Sequence, residues 1–351
     1  MLKQNYFLTF LRISFSCYLF VFGFSSCEKN NTKKNIDVEH IKVNFNSIRF
    51  DNEVIAMDTN DIFGSLNKIG NKYPEFTPIY FQELASLGKM QDQKMFNENL
   101  AHFLTSHDYR ILFDSVKKYF PDTKKIDADI LYYLKHLKFY FPKEPIGNVY
   151  YFVSGLNFWS AISVDSNIGI GLDMYLGKKF PFYASSTVQI PDYQVWKCEP
   201  EFIPINLARN KYEEKFPMVW DDKTLLDLMI YKGKQILFME YMLPNSSIDK
   251  LLGYTPEQLK WCEENEAMIY NFFIQKNILY SNNWQDIARY INDGPNTAGM
   301  PETSPGNIGS WLGWKIINQY MNKNNIDDFH KIMKDKNSGQ DILRKSKYKP
   351  Y

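Results

Sequence analysis

The stretch NVYYFVSGLNFWSAISVDSNIGIGLDMYLG, residues 148–177, decides how the chain is read. Its aromatic and β-branched runs, NVYYFVSG, LNFWSAISV and NIGIGLDMYLG, are divided by Gly, Ser and Asn, which predicts two or three short antiparallel strands. Residues 60–142 before it carry helical signals. Asn60 caps a helix to about residue 73, and Thr77-Pro78 opens a second that Gly88 stops. Residues 94–106 and 109–120 have helical spacing. Residues 122–140 hold Ile126, Ile130, Tyr133, Leu134 and Leu137 on one stripe before Pro142 and Pro145. Further out, HIKVNFNSIRF at 40–50 alternates as a half-buried strand does.

Beyond Gly177 the helical signal returns. Residues 224–243 predict a long helix broken or bent at Gly233, and Thr255-Pro256-Glu257-Gln258 opens another that reaches about residue 279. Residues 284–291 form a short helix, and residues 309–322 a further one after a Pro/Gly loop. The fold class is α+β: a helix-rich single unit over residues 38–351 with a small antiparallel or mixed sheet. Its helical parts are 60–142 and 224–351, and 148–177 is the strand-rich part. No linker rich in Gly, Ser or Pro divides it.

The 351 residues are 44% hydrophobic and 23% charged, enough apolar material for a sizeable core and unlike a disordered chain. A formal charge of +1 gives no support to nucleic acid as a partner. No period of 20–50 residues recurs, which argues against solenoids and propellers.

Residues 1–26 read as a signal peptide. Lys3 and Arg12 are their only charges, and ISFSCYLFVFGF at 13–24 is apolar. About twelve apolar residues make roughly 18 Å of helix, short of the ~30 Å of a hydrocarbon core. The FSSC that follows resembles a bacterial lipobox, with Phe24 where Leu is usual, so Cys27 is the expected lipid attachment site. Ordinary cleavage or an uncleaved anchor is the alternative. EKNNTKKN at 28–35 is polar, and residues 27–37 read as a lipidated flexible tether. Cys198 and Cys262 remain, either as a disulfide, which an envelope location permits, or as two buried thiols.

Catalytic motifs are scarce. None of His40, His102, His107, His136 and His330 is followed by Glu, so HExxH is missing, and no metal or other cofactor is expected. G-x-S-x-G and the P-loop are missing too. Asp173 and Glu240 lie within apolar runs and are possible acids, but only a shared cleft would make them an acid–base pair. The loop DGPNTAGMPETSPGNIGS at 293–310 leads into WLGWKIINQYM at 311–321. A loop fixed by prolines and glycines ahead of an aromatic helix can wall a cleft, which singles out Pro305, Trp311 and Trp314.

Six segments together resemble the GldB-type gliding-motility lipoproteins of Bacteroidetes. They are GIGLDMYLG at 169–177, Gly233-Lys234, Tyr254-Thr255 before Trp261, PETSPG at 301–306, WLGWKIINQYM, and Tyr348-Lys349-Pro350. The resemblance implies a lipid-anchored cell-envelope protein at the outer membrane, whose partners are other envelope motility or type IX secretion proteins. That family is distantly similar to predicted zinc proteases with HExxH on one helix and a further Glu on the next. Residues 229–238 would take the place of that second helix, with Gly233 and Lys234 near the acidic ligand. The resemblance thus implies a degenerate zincin-like scaffold that binds protein without catalysis, in a cleft beside an edge strand. The alternatives are an envelope hydrolase using Asp173 and Glu240 on peptide or glycan, and a passive structural part with no groove.

Overall fold

The computed structural model describes residues 36–185 and 189–350. The chain divides into two units, residues 1–36 and 37–351, and the elements below belong to the second. The lipidation site, Cys27, lies outside the described residues.

In chain order the elements are β1 (Ser47–Arg49), α1 (Phe50–Ile55), α2 (Ile62–Lys72), α3 (Phe76–Ile79, continuing as a π-helical turn, Tyr80–Leu84), α4 (Gln93–Thr105), α5 (His107–Tyr119) and α6 (Lys124–Tyr140). Strands β2 (Val149–Phe152), β3 (Ala161–Val164) and β4 (Asn167–Gly171) follow. The C-terminal part holds α7 (Ile203–Lys215), α8 (Leu225–Met242), α9 (Pro256–Glu264), α10 (Glu266–Gln275), α11 (Ile308–Lys323), α12 (Phe329–Met333) and α13 (Gly339–Ser346). The protein is α+β and helix-rich, with a small mixed sheet.

The sheet runs β1-β2-β4-β3. β1, β2 and β4 are parallel, and β3 pairs antiparallel to β4 as an edge. All four residues of β2 are buried, so both of its faces are covered. Alternation puts Tyr150 and Phe152 on one face and Tyr151 on the other. Phe76 stacks on Tyr150 with ring centroids 4.1 Å apart, and Phe50 meets Tyr73, Phe76 and Tyr80 edge-on. The N-terminal helices therefore cover the first face. On the other, the Tyr151 hydroxyl donates to Asp127 of α6 at 2.6 Å.

Several local expectations are corrected. Pairing in the 40–50 segment is confined to 47–49, because only there does β2 lie alongside, and Phe50 starts a helix. Asp61 rather than Asn60 caps α2, accepting from Gly64 N. Thr77 is no cap: it is buried inside its helix and its hydroxyl donates to Tyr73 O at 2.8 Å. Helix α8 is unbroken at Gly233 and opens with a capping box between Thr224 and Asp227. A second box, Thr255 with Gln258, opens α9, but the helix expected to reach 279 stops at Asn265 and restarts.

Candidate functional site

Asp173 lies just past the C-terminal end of β4, beside the end of its parallel neighbour β2. It is 0% exposed. Its Oδ2 accepts from Ser154 N (3.0 Å), Ser154 Oγ (2.9 Å) and Leu156 N (2.8 Å). Its Oδ1 has no partner. Burial raises its pKa against those three donors. The bonds hold a turn in which Gly155, Leu156 and Phe158 all have positive φ. Asp173 is thus a buried anchor for a left-handed turn.

Glu240 is occupied elsewhere. It lies on α8 and its Oε2 accepts from Trp314 Nε1 of α11 at 2.9 Å. Gly233, two turns earlier on α8, abuts the backbone of Gly313 and Trp314. Gly233, Glu240 and Trp314 therefore come together, as a seam between two helices and not as a cleft. Trp311 is wholly buried. Lys234 donates from Nζ to Asp335 O at 2.7 Å, and burial pulls its pKa down. Pro305 O accepts from the buried Thr297 hydroxyl at 2.6 Å, which closes the 293–310 loop on itself. Asp173 is thus enclosed at the end of the sheet, while Glu240 is engaged at the seam between α8 and α11.

The disulfide alternative is also corrected: Cys198 and Cys262 are both buried and free. Each sulfur has its own surroundings, and burial pushes the Cys198 thiol up to about 12. Among the described residues no three His, Cys, Asp or Glu side chains are placed to hold a metal ion.

A groove does border an edge strand. It has a volume of about 380 Å³ and is lined by Ser163 and Asp165 from the β3–β4 hairpin and Asn210 and Glu214 from α7. Gly171 N donates to Ser160 O, and antiparallel pairing alternates, so Ala161 and Ser163 turn their backbone groups away from β4. Asn210 Nδ2 caps the outward Ala161 carbonyl at 2.6 Å. Ser163 is left as the open step of the edge. On the same helix Lys211 and Lys215 converge on the buried Glu144. Burial works against that carboxylate, but hydrogen bonds from Lys215 and Lys211 outweigh it and hold its pKa below the ordinary value.

None of the residues singled out from sequence lines this groove. Its residues are ordinary surface types, and the signal that would have found it is the helix ahead of α8 lying against the antiparallel edge.

Among the described residues no helix is long and apolar enough to cross a membrane. No curated protein and no solved structure matches the chain. The sequence profile described as gliding motility protein GldB matches residues 31–350. That match covers nearly the whole length, and the chain belongs to the gliding motility protein GldB family, a family of gliding-motility lipoproteins.

Proposed function

We propose that this gliding-motility protein is a lipid-anchored, non-catalytic component of the cell envelope that holds a segment of a partner protein in the groove between β3 and α7. The observation that carries the reading is the position of that groove. In a zincin-like scaffold the cleft lies between an antiparallel edge strand and the helix that bears HExxH, with the second ligand helix next. Here α7 directly precedes α8 and lines β3, but IPINLARNKYEEK at 203–215 contains no histidine. Asn210 and Glu214, one turn apart, face the groove instead. Asn210 already occupies the Ala161 carbonyl, so a partner would engage the Ser163 step and the exposed carboxylates rather than add a full strand.

Surface spreading of cells carrying single substitutions tests this. Ser163→Arg, which fills the groove, is expected to abolish spreading while the protein accumulates normally. Glu240→Gln, which keeps the acceptor for Trp314, is expected to leave spreading intact. The opposite pattern would point back to an acid-dependent reaction. Cys27→Ala is expected to move the protein from the membrane to the soluble fraction.

A further inference from the structure

Trp220 and Trp284 are 64 positions apart, yet their indoles meet edge to face, with centroids 5.6 Å apart and planes at 82°. Both are half in water, 50% and 49% exposed, and Val219 beside them is 67% exposed. Folding has assembled this contact without burying it. The first two N–H groups of α8 donate to the segment leading to Trp284, Leu225 N to Ser281 O (2.8 Å) and Leu226 N to Leu279 O (2.9 Å). Those are donors a helix start leaves free. Trp220 sits in a turn that Asp222, at positive φ, closes through Lys223 N and Trp220 O. Asn283 caps the turn that carries Trp284. Both rings are held in place by backbone structure.

Around the rings the side chains of Asp221, Asp222, Asn282 and Gln285 are exposed, and none has a hydrogen bond or ion pair among the described residues. We infer that Trp220 and Trp284 form a saccharide-binding ledge, distinct from the β3–α7 groove. Perpendicular, half-exposed indoles offer an apolar ring surface on which the C–H face of a pyranose can stack. The exposed carboxylate and amide groups at neighbouring positions supply hydrogen-bonding partners for its hydroxyls. The same carboxylates oppose an anionic headgroup or a nucleic acid. Lys223 and Arg289 in the same two segments offset two of the three carboxylates, Asp221, Asp222 and Asp286, and leave a net charge of −1, too small a field to single out a polycation over an uncharged ligand.

Calorimetric titration of the full-length protein in detergent with chitotetraose and cellotetraose tests the ledge. Binding of at least one tetrasaccharide is expected, weakened at least about tenfold by Trp220→Ala and by Trp284→Ala. Half of each ring is buried and their edge-to-face contact is lost, so the unfolding midpoint should fall slightly while the protein stays folded at the temperature of the titration. The pair Asn282→Ala and Gln285→Ala, which leaves the rings untouched, should weaken binding as well. The inference is overturned if neither tetrasaccharide binds or if binding ignores all of these changes. It is equally overturned if the tryptophan variants instead abolish binding to phosphatidylglycerol vesicles or to decalysine.

Discussion

Gly233 of α8 and Gly313 of α11 meet backbone to backbone: a Cβ on Gly233 would stand 2.5 Å from the Gly313 carbonyl oxygen and 2.6 Å from Trp314 N. A Cβ on Gly313 would overlap the Met229 carbonyl. Neither helix can yield, because the clash is with main chain.

Gly313→Ala is therefore expected to destabilise the protein by about 1–3 kcal/mol or more, outweighing the ~1 kcal/mol that alanine gains in a helix. Gly70→Ala on α2, where a new Cβ meets nothing within 4 Å, should stabilise it by about 0.5–1 kcal/mol. Urea unfolding of the two variants checks the contrast.

Asp173→Ala would leave the Ser154 N–H, the Leu156 N–H and the Ser154 hydroxyl proton without an acceptor in the interior, although Ser154 Oγ would still accept from Asn157 N. Each buried orphan costs about 1–3 kcal/mol, though not additively. Asp173→Asn keeps one acceptor and should lose less. Spreading of cells with Asp173→Asn should track the amount of folded protein and show no separate defect.

Glu144 gives a pH dependence with a definite sign. Its folded pKa lies below the ordinary value of 4.5. The group therefore contributes stability above the unfolded pKa, and that contribution is lost as pH falls through the folded one. Glu144→Gln should lower stability at pH 7 and flatten its decline below about pH 4.5. Unfolding midpoints across that range provide the measurement, and an unchanged acid slope would contradict the Lys211–Glu144–Lys215 cluster.

Cys198 and Cys262 should resist alkylation at neutral pH in the folded protein, because burial disfavours both thiolates. Both should react once urea unfolds the chain. Mass spectrometry of the labelled protein counts them, and a pair that stays unreactive until reduced would restore the disulfide.

Much of the fold is legible in the residues themselves. Local signals mark α9, where Thr255, Pro256 and Gln258 coincide, and the strand runs of 148–171, where apolar stretches end in Gly and Asn. The parallel pairing of β1, β2 and β4 is not legible, since it depends on crossovers through distant segments. Gly233 looks like a helix break because its partner, Gly313, is 80 positions away. Helix α7 gives little signal: Pro204 lies at its start, and Asn206, Arg209 and Asn210 interrupt its apolar stripe. With α7 unseen, the groove had no second wall. Asp173 and Glu240 attract attention as acids in apolar runs, and such positions suit a buried acceptor equally well.

Photocrosslinking in living cells tests the groove most directly. A photoreactive residue at Asp165, on the groove, is compared with one at Lys118, exposed on α5. The account predicts that Asp165 captures one defined envelope protein, that Lys118 does not, and that Ser163→Arg abolishes the capture together with spreading. Equal capture from both positions, or none from Asp165 in cells that spread normally, would contradict it.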